Sequence, residues 1–158
     1  MDSDLQNKRH TLAHLLAAVI MQLYPDAKRT IGPAIDDGFY FDFEFPSGAP
    51  SDKDFPKIEK AMRKLLPSWK KFERSELSAD DAKKEYPENP YKHELIDEFT
   101  KEGQEVTFYK SGNYWDLCKG GHVENPSADI AEGSWKLDRT AGAYWRGNEK
   151  NKMLTRIY

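Results

Sequence analysis

The chain has 158 residues, of which 38% are hydrophobic, 13% aromatic and 32% charged. This length is enough for one domain with a hydrophobic core and too short for two large ones. The aromatic content excludes a disordered chain, because large side chains offset the entropy lost on folding. The single cysteine, Cys118, excludes an internal disulfide and fits the reducing cytoplasm. No apolar run is long enough to span a membrane, so we expect no membrane partner.

Charge is unevenly distributed along the chain. The net charge of −3 does not indicate a nucleic-acid-binding protein. Residues 134–158, however, contain six basic and two acidic residues, a net charge of +4, whereas the rest of the chain carries −7. This basic segment could contact phosphate groups locally. A solvated surface with no partner is an equally good interpretation of the charge alone.

The N-terminal segment has the pattern of a long helix. Apolar residues recur at helical spacing from Leu5 onwards, Ser3 is a plausible N-cap, and Pro25 ends the pattern. We expect a helix of about five turns. Its predicted core face consists of Leu12, Leu16, Val19 and Leu23.

Strand and helix patterns alternate after this helix. Following the turn signal Asp37-Gly38, four phenylalanines alternate with polar residues or tyrosine over residues 39–45, which predicts a strand with one aromatic face. Residues 29–35 are its predicted hairpin partner. Further helices are predicted from Ser51 or Asp52 to Pro67, after Ser78 and after Pro90. Further strands are predicted over residues 69–77, on both sides of a turn at 111–113, and within 134–147. This mixture predicts an α+β fold, with an antiparallel sheet packed against helices.

Two pairs of metal-binding side chains are each spaced by four residues. His10 and His14 share one face of the predicted helix, and Cys118 and His122 bracket the loop Lys119-Gly120-Gly121. The first pair alone is weak evidence, since a polar helix edge explains it as well. Together the pairs use the only cysteine and three of the four histidines, which indicates one shared site.

Imidazole and thiolate groups are the ligands that zinc prefers. Four protein ligands would make a structural zinc site, whereas three ligands and a water would make a hydrolytic one. A third interpretation is a metal-free site, in which the histidines hold and polarise a water near neutral pH.

Four segments together resemble the editing domain of threonyl-tRNA synthetase. They are "HTLAHLLAAVIMQLYPDAKRTIGPAIDDGFYFDF", "PYKHELI", "YWDLCKGGHV" and "TAGAYWRGNEKNKMLTRIY". This is the second additional domain, shared more distantly with alanyl-tRNA synthetase and free-standing alanyl editing proteins. The resemblance extends from about residue 8 to residue 158. It implies an editing domain at 1–140 and, at 141–158, the start of a linker toward a missing aminoacylation domain. The full enzyme would be a cytoplasmic, ATP-dependent class II threonine-tRNA ligase, and the fragment a monomer.

The resemblance implies an aminoacyl-tRNA ester hydrolase that removes serine mischarged on threonine tRNA. Serine differs from threonine by one missing methyl group, which is worth only ~1–3 kcal/mol of binding. A second pocket that excludes the larger residue restores discrimination. Serine then enters the pocket and is hydrolysed.

The resemblance also places roles on individual residues. His10, His14, Cys118 and His122 fall on signature positions, which bind zinc in the alanyl branch. In the threonyl branch the resemblance favours a water held by side chains, with no metal required. Lys92 matches a lysine of the family's site, as a proton acceptor or as a charged group that stabilises the oxyanion. Asp116 could bind the serine ammonium; alternatively it caps a turn or pairs with Lys119.

Substrate contacts are predicted from aromatic and basic residues. The terminal adenosine of the tRNA needs a stacking surface, although aromatic side chains more often fill cores. Candidates for this surface are Tyr40, Tyr114 and Trp115. Phe41 stands where family members often carry tyrosine, which puts a role for that hydroxyl in doubt. Candidate phosphate contacts are Lys136, Arg139 and Arg146. The remaining histidine, His93, is expected at the surface.

Two other functions stay open at this point. One is a zinc-stabilised RNA-binding module without catalysis, which would unfold when zinc is removed. The other is a free-standing trans-editing protein, against which the linker-like C-terminal segment argues.

Overall fold

The computed structural model describes residues 3–118 and 120–158, and it confirms the predicted α+β class. The helices are α1 (Ser3–Leu23), α2 (Phe55–Leu65), α3 (Ala79–Lys84), α4 (Pro90–Phe99) and α5 (Pro126–Asp129). The strands are β1 (Lys28–Arg29), β2 (Ala34–Ile35), β3 (Gly38–Phe39), β4 (Phe41–Glu44), β5 (Glu73–Leu77), β6 (Val106–Ser111), β7 (Tyr114–Leu117), β8 (Thr140–Tyr144) and β9 (Met153–Ile157). The predicted cap by the Ser3 side chain and the predicted contact of Lys119 lie outside what is described.

The strands form three antiparallel sheets. Their orders are β1-β4-β9-β8, β2-β3 and β5-β6-β7. Strands β8 and β9 bring residues 140–144 and 153–157 into the same sheet as β4, with Phe41 opposite Ile157. The boundary predicted between residues 140 and 141 falls at the start of β8 and stays a prediction.

Helix α1 runs through the hydrophobic core. Every residue from Thr11 to Ile20 is buried, which includes the predicted core residues Leu12, Leu16 and Val19. Leu23 packs at the edge of the same core. Because the helix is enclosed on all sides in this stretch, the polar side chain of His14 is carried into the interior.

The predicted aromatic strand over residues 39–45 is divided. Phe39 belongs to β3 and Phe41 to β4, and the amide of Tyr40 donates to the carbonyl of Pro33. Gly32 makes this close crossing feasible, since a Cβ there would lie 2.1 Å from the Phe41 ring. The prediction of one continuous strand was therefore wrong, although Phe39 and Phe41 are both buried in the core.

Two predicted helix starts are confirmed by their hydrogen bonds. Ser51 forms a capping box with Asp54, and the Ser78 side chain accepts from the amide of Asp81. Strand β5 begins four residues later than predicted, at Glu73. The segment 134–147, predicted to contain strand and turn, forms β8 followed by a 3₁₀ turn at Trp145–Gly147.

Candidate active site

The two predicted pairs meet in one cluster. Their four ligand atoms all lie within 4.8 Å of one another. His10 Nε2 lies 3.2 Å from His14 Nε2 and 3.6 Å from Cys118 Sγ. Cys118 Sγ in turn lies 3.3 Å from His122 Nε2. The juxtaposition predicted from spacing and residue type is therefore present in the fold.

The loop after Cys118 is fastened to helix α1 by two hydrogen bonds. The amide of Val123 donates to Thr11 Oγ1 at 3.1 Å, and His10 Nδ1 donates to the carbonyl of Gly121 at 3.1 Å. A neutral imidazole that donates through Nδ1 keeps a lone pair on Nε2. His10 Nε2 is therefore an acceptor at the centre of the cluster, where His14 Nε2 can donate to it at 3.2 Å.

Stacking fixes the ring of His122. It lies between Phe72 and His10, with ring centroids 4.2 and 4.5 Å apart respectively. Among the described residues, the buried Nδ1 atom of His122 has no hydrogen-bond partner. Its orientation therefore comes from packing rather than from a second hydrogen bond.

Burial keeps the three imidazoles neutral. Desolvation lowers the pKa of His10, although the hydrogen bond to Gly121 opposes this shift. It lowers the pKa of His14 well below 6.5, and the neighbouring histidines add to the effect. It also lowers the pKa of His122 to about 3. Near pH 7 all three rings are therefore neutral, and a neutral ring keeps a lone pair that can accept a hydrogen bond or bind a metal ion.

A buried ion pair lies beside this cluster. Lys92 Nζ is 2.9 Å from Asp116 Oδ1, and the two side chains are only 3% and 1% exposed. Burial lowers the pKa of Lys92, and the charge of Asp116 only partly offsets that effect. Burial would raise the pKa of Asp116, but the charges of Lys92 and Arg29 hold it far below its ordinary value.

Asp116 accepts further hydrogen bonds that the sequence analysis did not predict. Its oxygens accept from the hydroxyls of Tyr86 and Tyr114 and from the amide of Leu117. The carboxylate is therefore saturated by groups of the protein itself. The only sequence signal for Tyr86 was its position shortly before "NPYK", which is not specific.

A cavity of about 650 Å³ opens onto both groups. Its polar lining includes His10, His14, Lys92, Asp116 and Cys118. Its apolar lining includes Ile31, Pro33, Phe41, Leu95 and Phe99. The volume and the mixture of apolar walls with a few convergent polar groups are typical of small-molecule sites.

The predicted stacking residues lie elsewhere. Tyr114 is a core residue that stacks on Trp69, with ring centroids 5.9 Å apart. Trp115 is 37% exposed, and Tyr40 is half-buried beneath Arg156 and beside Tyr158. Of the aromatic residues predicted to contact substrate, Phe41 is the one that the described cavity lining contains.

The predicted phosphate contacts differ in their surroundings. Arg139 pairs with Asp138 and covers the Tyr158 ring, and Lys136 lines a second cleft beside α1. Arg146 is held by Glu94 and Glu98, so acidic groups already engage its guanidinium. The net charge of residues 134–158 therefore overstates the number of basic side chains that are available to bind phosphate.

His93 is not the surface residue that was expected. It is half-buried, and its Nε2 donates to the carbonyls of Lys83 and Tyr86 at 3.1 and 2.8 Å. Its ring ties α4 to the end of α3. It is thus a structural histidine outside the cluster.

Acid is expected to destabilise the fold through the three cluster histidines. Unfolded histidine binds a proton near pH 6.5, whereas folded His122 does so only near pH 3, so the unfolded chain binds more protons between these values. The unfolding free energy should fall by at least about 1.4 kcal/mol between pH 7 and 4.5, the equivalent of one unit of pKa shift. Urea titrations across this range measure it. His122→Gln should make the unfolding free energy depend less steeply on pH. An unchanged pH dependence in that variant would contradict the attribution of the effect to His122.

The donor set fits zinc. Tetrahedral zinc with imidazole and thiolate ligands implies donor separations of roughly 3.3–3.6 Å. The contacts of 3.3 and 3.6 Å fall in this range and that of 3.2 Å lies just below it, whereas the widest pair of ligand atoms is up to 4.8 Å apart. His10, His14, Cys118 and His122 could therefore hold one ion once the widest pair of donors draws together.

A family comparison agrees with the fold and the cluster. Residues 106–158, which include β6 to β9 and the Cys118 loop, match the model described as Threonyl and Alanyl tRNA synthetase second additional domain. Residues 106–158 of the chain belong to this family by that match.

Within this family, nearly the whole chain is similar to threonine-tRNA ligases. The ligase of Rubrobacter xylanophilus is 49% identical over 150 residues, which cover 95% of this chain and 22% of the relative. Those of Thermotoga maritima and Dehalococcoides mccartyi are each 46% identical, over 95% and 99% of the chain and 23% and 26% of the relative. The chain thus spans about a quarter of these relatives and corresponds to the region identified above as the editing domain of threonyl-tRNA synthetase. None of the helices within 3–118 and 120–158 has the length and apolar character needed to cross a membrane.

Proposed function

We propose that the chain is a post-transfer editing domain that hydrolyses the ester between serine and threonine tRNA. The observation that carries the proposal is the cavity itself. It joins neutral imidazoles, a thiol and a buried lysine-carboxylate pair in one space. The cavity also has room for a seryl group together with part of the terminal adenosine.

In the proposed reaction, His10 is the general base. Its Nε2 lone pair faces the cluster because Nδ1 donates to Gly121. It takes a proton from a water as the water attacks the ester carbonyl, which forms a tetrahedral oxyanion. The imidazolium then returns the proton to the ribose oxygen as the ester bond breaks, so that serine and tRNA leave. His14 and His122 orient the base and the water from either side.

Lys92 is assigned to the oxyanion. Its ammonium lines the cavity and is held in place by Asp116. A preorganised charge in a water-poor site stabilises a developing anion more than it would in water. The saturation of Asp116 favours this positioning role over the predicted contact with the serine ammonium.

The proposed partner is threonine tRNA, bound through its 3′-terminal adenosine. Phe41 and the apolar wall around Pro33 are the surfaces in the cavity that a base could contact. Tyr40, Trp115, Lys136 and Arg139 stay proposed contacts for nucleotides outside the cavity. The whole synthetase would place this domain in the cytoplasm with its aminoacylation domain.

Zinc is not required in this mechanism. When bound, it would supply Lewis-acid polarisation of water or carbonyl. The base, the oxyanion charge and the orientation of the water are all provided by side chains of the chain itself.

We expect added zinc to inhibit rather than to activate. The ion would take the Nε2 lone pair of His10 that the base needs, and its affinity should rise with pH as the ligands deprotonate. Deacylation measured with a chelator should match the untreated rate, and calorimetry should show one ion bound per chain. Loss of activity on chelation, restored by zinc, would contradict the metal-free mechanism.

A zinc-stabilised RNA-binding module is the second candidate function. The convergence of three imidazoles and one thiol, the donor types of structural zinc sites, favours it. It predicts stoichiometric zinc, unfolding on chelation and no deacylation.

The decisive experiment compares two charged tRNAs. The chain should deacylate threonine tRNA that is mischarged with serine. It should leave the same tRNA charged with threonine largely intact. A discrimination of about 10–200-fold is what exclusion of one methyl group can supply. Single-turnover release of labelled amino acid measures both rates. Equal hydrolysis of the two esters, or of neither, would refute the proposed specificity.

A further inference from the structure

A second buried cation lies behind the Lys92–Asp116 pair. Arg29, at the end of β1, is 8% exposed. Its guanidinium is positively charged at neutral pH. Together with Lys92 and Asp116 it forms a buried cluster of two positive charges and one negative charge. The cluster therefore keeps one net positive charge.

The guanidinium of Arg29 is held from three sides. Nη1 donates to the carbonyl of Trp115 at 2.9 Å. The rings of Tyr86 and Tyr114 lie 5.0 and 5.1 Å from the guanidinium carbon. Both tyrosine hydroxyls donate to Asp116, so the arginine and the carboxylate share the same two neighbours.

Asn89 ties Arg29 to Lys92 through the backbone. Its Nδ2 donates to the carbonyl of Arg29 at 2.8 Å, and its Oδ1 accepts from the amide of Lys92 at 3.2 Å. Arg29 is not among the described residues that line the cavity. It therefore acts on a ligand through other residues rather than by touching it.

We propose that Arg29 is a positioning residue whose charge compensates Asp116 and so leaves the charge of Lys92 available to an anion in the cavity. Without Arg29, Asp116 would neutralise Lys92, and the cluster would carry no net charge. With Arg29, one positive charge remains at the cavity floor. This inference rests on the proposed function, which assigns Lys92 to the oxyanion.

Two ligands separate this role from a merely structural one. One is seryl-adenosine with a neutral amide in place of the ester. The other is the matching phosphonate, whose tetrahedral group carries a negative charge. Wild type should bind the phosphonate more tightly than the amide. Arg29→Gln, which keeps a donor for Trp115, should weaken phosphonate binding by at least tenfold and change amide binding by less than threefold.

Three further variants complete the test. Arg29→Lys keeps the charge and should stay within about threefold of wild type for both ligands. Arg29→Met should show the same affinities for the two ligands as Arg29→Gln. The test therefore still works if one of these two variants does not fold. Arg156→Met is the matched control, because it removes a guanidinium that pairs with Asp42 outside the cavity lining. It should leave the ratio of the two affinities unchanged.

Two results would overturn the inference. One is a phosphonate-to-amide ratio within threefold of wild type in folded Arg29→Gln or Arg29→Met. The other is an Arg29→Lys variant as weak as these two. Failure of the proposed function would look different, since wild type would then bind neither ligand.

Discussion

His10→Asn is expected to lower the rate of seryl-tRNA deacylation by about 10²–10⁴-fold, the contribution typical of a general base. The asparagine amide can still donate to the Gly121 carbonyl, so the loop after Cys118 should stay in place. What is lost is the Nε2 lone pair at the centre of the cluster. Single-turnover rates at saturating enzyme measure this loss apart from tRNA binding.

His93→Asn is the matched control. His93 is the histidine outside the cluster, and it bonds only backbone carbonyls in the contacts described. Its replacement should cost about 0.5–1.5 kcal/mol of stability for a hydrogen bond and leave the rate unchanged. Wild-type deacylation by folded His10→Asn, or an equal loss in both variants, would remove His10 from the role of base.

The cluster was predictable because spacing and chemistry coincided. His10 and His14 are fixed on one face of α1 by the helical repeat, and the donors are rare residue types in this chain. That the Cys118 loop reaches α1 was inferred from the two pairs taken together, and the resemblance supports the same inference. The fold supplies the link through Thr11, which bonds Val123 across the chain.

The network behind the cluster was not predictable from the sequence. Arg29 lies on β1, whereas Tyr86 and Asn89 lie just before α4, and each looks like an ordinary surface or turn residue in its own context. Only the packing of β1, α4 and β7 brings them to Asp116. Pairwise contacts of this kind leave no periodic signal along the chain.

Composition also could not separate paired charges from available ones. Arg146 contributes to the basic C-terminal segment, yet Glu94 and Glu98 on α4 engage it. Tyr114 has the alternation of a strand residue, and the structure uses its hydroxyl inside the core. The partners of Arg146 lie far away in sequence, and the burial of Tyr114 beside Asp116 comes from the surrounding fold, so both roles depend on tertiary structure.

Asp116→Asn is expected to destabilise the chain by about 3–5 kcal/mol, the cost of breaking a buried ion pair by removing one partner. The side chain keeps its shape, but Lys92 and Arg29 lose their shared counter-charge in a desolvated site. The hydroxyls of Tyr86 and Tyr114 also lose a charged acceptor. Urea denaturation at pH 7 measures the difference in unfolding free energy.

Asp138→Asn provides the comparison for this measurement. Asp138 pairs with Arg139 at the surface, where both side chains are more than half exposed. Exposed pairs of this kind contribute about 0–1 kcal/mol. Because the two substitutions make the same chemical change, the difference between their losses of unfolding free energy measures the effect of burial. A loss below about 1 kcal/mol for Asp116→Asn would mean that Lys92 sheds its proton to relieve the site, and the lysine could then no longer supply the charge that the proposed reaction needs.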